Sequence, residues 1–101
     1  MKHSLSSKYF YSVFKSSQTL KTPNITYRYL KVENPESQGL GFIISKKLGN
    51  AVERNHFKRF LRALYCKALI KNKIAVIISP KTIKLTKEEI IKSFELLKKT
   101  I

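Results

Sequence analysis

Two histidines, one cysteine and six carboxylates are the first residues to weigh for acid–base, nucleophilic or metal chemistry. Their spacing suits none of these. His3 and His56 lie far apart with no obvious acid partner, and Cys66 stands alone, so no metal-ligand spacing forms. Glu88 and Glu89 are the one adjacent pair of acids, and they fit the first turn of a helix. Gly-Leu-Gly at 39–41 lacks the third glycine and the following helix of a phosphate-binding loop. What the sequence does concentrate is positive charge. In "GFIISKKLGNAVERNHFKRFLR" (41–62), Lys46 and Lys47 close an apolar run, and Arg54, Lys58, Arg59 and Arg62 follow. Such residues bind phosphate, arginine through bidentate hydrogen bonds and lysine as a point charge.

Composition supports the same reading. The 101 residues suffice for a single domain spanning 1–101, and 43% are hydrophobic, enough for a packed core. Against 21 Lys and Arg stand only six acids, a net charge of +15. So large an excess repels itself and implies a polyanionic partner. Nucleic acid leads, because binding releases condensed counterions; an acidic membrane surface is the runner-up. One cysteine permits no internal disulfide and suits a reducing compartment. No apolar run approaches membrane-spanning length, and "MKHSLSSKYFYSVF" has no signal-peptide pattern, so a cytoplasmic location and no membrane partner are expected.

The elements that must position these cations follow from periodicity. Residues 7–16 predict a short helix capped by Ser6 or Ser7, with Phe10, Val13 and Phe14 on one stripe. "SSQTLKTPN" reads as loop. Strands are expected at 25–32, at 40–45 and, from the continuous apolar run "KIAVIIS", at 73–79. The short linker suggests that the first two pair antiparallel, and a further short strand could occupy 46–48. Asn50 is the expected N-cap of a helix running to about Ile70. On a wheel of about 100° per residue, Phe57, Phe60, Leu61, Leu64 and Ala68 make its core stripe. Arg54, Asn55, Lys58, Arg59 and Arg62 occupy the neighbouring sector. The last helix is signed by a Thr86–Glu89 capping box and a Leu85–Ile90 staple, with Ile90, Phe94, Leu97 and Ile101 facing the core. The order α-β-β-(β)-α-β-α is α+β, a small mixed sheet of three or four strands with three helices packed against it as a single layer.

Lysines and arginines on a helix are most often only its solvated face. Here the balancing acids are missing apart from Glu53, and Lys46 and Lys47 add to the same corner, which favours phosphate binding. Asn50 reads as a cap. Asn55 is either merely exposed or a partner for ribose or base edges. Phe10 and Phe14, spaced i, i+4, fit a core. Tyr27 and Tyr29 flanking Arg28 are harder to bury, and aromatics interleaved with cations on a sheet are what single-stranded RNA binding uses.

The segment 41–65 resembles the signature of the bacterial ribonuclease P protein subunit. The matching positions are Gly41, Ser45, Lys46, Lys47, Gly49, Ala51, Val52, Arg54, Asn55, Lys58, Arg59 and Arg62. "YFYSVFK" is similar to that family's first-helix pattern, so the resemblance covers nearly the whole chain. It implies a non-catalytic protein component of an endoribonuclease whose RNA subunit, with Mg²⁺, removes the 5′ leader of precursor tRNA. No cofactor bound by a protein motif and no protein partner is expected; the partners are the ribonuclease P RNA and precursor tRNA. The resemblance assigns RNA-subunit binding to Lys46, Lys47, Asn50, Arg54, Asn55, Lys58, Arg59 and Arg62. It maps a leader-binding cleft to Phe10, Phe14, Tyr27, Arg28 and Tyr29, and implies a left-handed β-α-β crossover, a hand that general topology disfavours. Two positions depart from the pattern. His56 stands where the family carries a second arginine, nearer the apolar flank of the helix. Arg28 falls where the family often has tyrosine, and a slip of one residue changes the face, so all three neighbours are named. A small ribosomal protein would share the charge and the basic helix without the leader cleft, and a nuclease acting without RNA would need a catalytic constellation that is missing.

Overall fold

The computed structural model describes residue 5 and residues 7–33, 38–68 and 73–101. The strand that organises it is the apolar run near the C-terminal half, Ile74–Pro80. Ile74 through Ile78 are all fully buried. A strand that is apolar on both faces must be covered on both, so helices are needed above and below it.

In chain order the elements are α1 (Ser7–Ser16), β1 (Gln18–Lys21), β2 (Ile25–Lys31), β3 (Gly39–Phe42), a 3₁₀ turn (Lys46–Leu48), α2 (Ala51–Ala68), β4 (Ile74–Pro80) and α3 (Lys87–Thr100). The sheet runs β1-β2-β4-β3. The expected hairpin between the strands at 25–32 and 40–45 is therefore wrong. β2 pairs antiparallel with β4, Tyr27 opposite Ile78, and β3 pairs parallel with β4, Leu40 beside Val76. The need of β4 for a partner on each edge outweighs the short linker. β3, α2 and β4 thus form the parallel crossover unit.

Two further expectations change. The segment read as loop holds β1, which pairs antiparallel with β2 across a Thr22–Asn24 turn, Leu20 opposite Tyr27. Residues 46–48 form a 3₁₀ turn and not a strand, because the Ser45 hydroxyl accepts the Lys47 N–H at 3.2 Å. The three helices lie where periodicity puts them. The end of α2 expected near Ile70 falls outside the described residues.

Alternation along the strands sorts the core into two parts. Ile25, Tyr27, Leu40, Ile74, Val76 and Ile78 face α2 and α3, meeting Phe57, Leu61 and Tyr65 of the former and Ile90, Phe94 and Leu97 of the latter. The helix layer is this pair. α1 lies on the opposite face, where Val13 and Leu5 pack on Ala75 and Ile77. Leu5 N–H also donates to the Leu40 carbonyl at 3.0 Å, covering the outer edge of β3.

Candidate nucleic-acid interface

The basic corner is assembled by two helix starts in succession. Ser45 caps the 3₁₀ turn that carries Lys46 and Lys47, both exposed. After Gly49, Asn50 opens α2 by a reciprocal cap. Its Oδ1 accepts the Glu53 N–H at 2.8 Å, while Glu53 Oε1 accepts the Asn50 N–H at 2.9 Å. The acid nearest the corner is thereby committed to the cap. Arg54 lies back along the first turn, its Nε donating to the Asn50 carbonyl at 3.4 Å. Asn55 and Arg59 are exposed, and Arg54, Lys58 and Arg62 are half-buried on one flank of the helix.

Arg62 is held more firmly than its neighbours. Its guanidinium lies 5.7 Å from the centre of the Phe42 ring, which itself meets Phe57 edge-on at 6.4 Å. Arg62 Nε is buried without a hydrogen-bond partner. Such a donor retains its desolvation penalty until an acceptor arrives. Of the eight residues expected at this interface, the structure places Lys46, Lys47, Asn50 and the α2 cations on one continuous corner. Asn50 is chiefly a cap there, although its amide nitrogen is not consumed by the cap.

The second group divides between the two faces of the sheet. Arg28 points toward α1, with its guanidinium 4.5 Å from the centre of the Phe14 ring and Nη1 donating to Ser79 Oγ at 3.3 Å. Phe14 is 38% exposed, so the ring is available as well as stacked. Phe10 lies against the sheet beside Gly41, where an added Cβ would stand 2.7 Å from its Cε2. Only a glycine lets the ring approach so closely. Phe10, Phe14 and Arg28 therefore lie on one side of the sheet, the side that faces α1.

Tyr27 and Tyr29 do not belong to it, because residues i±1 on a strand face the other way. Tyr27 is 0% exposed, and its ring meets Phe94 edge-on at 6.3 Å. Its hydroxyl reaches Ser93 Oγ at 2.7 Å, and Ser93 reaches Thr22 Oγ1 at 3.1 Å. Thr22 donates its only hydroxyl proton to the Ile25 carbonyl at 2.7 Å. Ser93 must then donate to Thr22, and Tyr27 to Ser93. This directed chain fastens the β1–β2 hairpin to α3. Burial pushes the Tyr27 phenol up to about 12, against the smaller opposing effect of Ser93. Tyr29 packs at the rim of the same core, its hydroxyl donating to Gln18 Oε1 at 3.0 Å.

Sequence reasoning missed the other residues of this face. Strand register places Thr19 and Lys21 of β1, Thr26 of β2 and Ser79 of β4 on the Arg28 face. The signal was present in "QTLKTPNIT", where Leu20 alternates with Thr19 and Lys21 and turn residues separate two strand-like runs. His56, the departure on α2, is exposed and borders a cleft between α2 and the start of α3. Among the described residues no group of three or more His, Cys, Asp or Glu side chains could hold a metal ion, and no helix is long and apolar enough to cross a membrane.

The Ribonuclease P family model matches residues 2–101. The ribonuclease P protein component of Macrococcus caseolyticus is 37% identical over 90 residues, covering 85% of this chain and 77% of its own length. The RNase P protein of Thermotoga maritima superposes with a TM-score of 0.78 at 20% identity, over 98% of this chain and 97% of that one. That of Staphylococcus aureus gives 0.76 at 24% identity, over 99% and 94%. The two structures establish likeness of fold; the family match over nearly the full length, with the Macrococcus relative, establishes that the chain belongs to the ribonuclease P protein family.

Proposed function

We propose that the chain is the protein subunit of a ribonuclease P, acting in the cytoplasm on precursor tRNA while the RNA subunit, with Mg²⁺, performs the hydrolysis. The corner of Lys46, Lys47, Arg54, Asn55, Lys58, Arg59 and Arg62 docks the RNA subunit. The cleft of Phe10, Phe14 and Arg28 holds the 5′ leader, one base stacking on Phe14 and a phosphate meeting Arg28 and Lys21. The chain itself binds and orients the two RNAs.

The observation that supports this reading is that one small domain carries two surfaces suited to nucleic acid. Cations dominate one, while the other sets Arg28 on an exposed aromatic ring. A protein that binds a single RNA through a basic helix has no need of the second surface. The test is reconstitution of a bacterial-type ribonuclease P RNA at low Mg²⁺, with and without this chain, on precursor tRNA. Faster leader removal and tighter substrate binding with the chain present are expected. Equal rates and affinities would refute the reading. The same assay on substrates with progressively shortened leaders separates the surfaces, because the contribution of the protein should vanish when the leader no longer reaches Phe14.

A further inference from the structure

The departure at His56 lies beside a cleft that neither surface above uses. It has a volume of about 280 Å³ and opens between α2 and the segment leading into α3. Its apolar lining is Phe57, Phe60, Ile83, Leu85 and Ile90, with His56 on the α2 side. Lys84 and Lys87 stand on the opposite wall, and Lys87 Nζ lies 5.9 Å from the centre of the Phe60 ring. Neither lysine has an ion pair among the described residues. Glu53 is the one acid at the margin, and its carboxylate is engaged by the Asn50 N–H. Thr82 Oγ1 accepts the Lys84 N–H at 3.2 Å, turning the chain so that Lys84 follows directly on the buried Ile83. The cleft therefore combines a half-buried ring, a flat imidazole and two uncompensated cations.

We propose that this cleft takes one unpaired nucleotide of the RNA subunit, its base against Phe60 and its flanking phosphates on Lys84 and Lys87. The proposal rests on the reading of α2 as an RNA-docking helix and extends it to the other flank of that helix. Arg62 and Lys58 line the flank toward β3; His56 and Phe60 line the flank toward α3. Exposed Arg59 lies between them, so an RNA strand held by Arg59 can reach both. A base is planar and apolar on its faces, which suits Phe60, while its backbone is anionic, which suits the lysines. An apolar protein segment would leave those cations without partners. A cationic segment would be repelled.

The test compares affinities for a bacterial-type ribonuclease P RNA across a salt series. Phe60→Leu keeps an apolar filling and removes the ring; it should weaken binding by about tenfold with the salt slope unchanged, as expected for a lost base stack. Phe60→Tyr keeps the ring and should bind as the parent does. Lys84→Gln with Lys87→Gln should lower the log–log salt slope by about two, one for each phosphate released. Thermal melts of each variant separate loss of fold from loss of contact. Parent-like affinity in Phe60→Leu, or an unchanged slope in the lysine pair, overturns the cleft while leaving RNA docking intact. If the unsubstituted chain does not bind this RNA at all, the underlying reading fails with it. Binding of a polyglutamate peptide that Phe60→Leu abolishes would assign the cleft to an acidic protein segment instead.

Discussion

The two faces of the sheet carry the same strands and opposite duties. Toward α2 and α3, β2, β3 and β4 contribute buried apolar side chains and β1 the partly buried Leu20, while the Tyr27, Ser93 and Thr22 hydroxyls run in a hydrogen-bonded chain that ends on the Ile25 carbonyl. Toward α1, Val13 and Leu5 bury Ala75 and Ile77, Leu30 and Val32 are partly covered beside them, and Arg28, Ser79, Thr26 and β1 lie on the same face. Buried apolar packing is concentrated on the face toward α2 and α3, and polar side chains gather on the face toward α1. A period-two element can serve both, because neighbouring residues on a strand never compete for the same side.

The largest expected effect comes from breaking the face toward α2 and α3. Phe94→Ala, at a site only 2% exposed, should lower stability by about 3–5 kcal/mol. Val13→Ala on the opposite face should lose about 2 kcal/mol by its two missing methyl groups. Denaturant midpoints of the two variants measure the contrast directly, and equal losses would mean that α1 is as essential to the core as α3.

Gly41→Val is next. Its side chain would occupy the place of the Phe10 ring, costing about 1–3 kcal/mol and lifting α1 from the sheet. Leader affinity should fall, while affinity for the RNA subunit holds. Phe14→Leu and Arg28→Gln sharpen the point without disturbing the core. Each should weaken leader binding by about 1–3 kcal/mol, the scale of one lost base stack or charged contact, with little change in melting temperature. A large loss of stability in Phe14→Leu would mean that the ring is a core residue.

The smallest effects are on the buried phenols. Burial raises both Tyr27 and Tyr65 to about 12. Their neutral forms are favoured in the folded chain, so the stability they give is intact below the ordinary tyrosine range. It is lost as pH climbs from about 10 toward 12, where the unfolded chain has already released the protons. In an alkaline absorbance titration these two of the five tyrosines should ionise last. Tyr27→Phe should remove one late step, make the alkaline loss of stability shallower, and lower neutral-pH stability by about 1 kcal/mol through the missing Ser93 contact.

Features with redundant local signals could be read from sequence. Thr86 with Glu89, and Asn50 with Glu53, announce helix starts through side chains only three residues apart. The basic sector of α2 follows from its helical period alone. Strand partners could not be read in the same way, because pairing is decided by residues far apart in the chain. β2 and β3 are close in sequence, yet β4 enters between them, since its five buried residues need cover on both sides. Tyr27 and Tyr29 are named beside Arg28 because neither face of this strand is purely apolar, so the sequence leaves open which one turns to the core. The choice was made by Phe94 and Ser93, sixty-odd residues away.

The dipeptide Gly41–Phe42 on β3 joins these themes. Gly41 seats Phe10 on one side of the sheet, and Phe42 seats the Arg62 guanidinium on the other. Substituting either side chain should disturb one surface alone. Sliding the strand by a single residue would invert both together, turning Phe42 onto α1 and removing the ring beneath Arg62. The backbone ladder to β4 and the Leu5 N–H on the outer edge hold the strand against that slip. One short edge strand is thus a common bracket: two grips that can be tuned separately through their side chains keep a fixed alignment through its backbone.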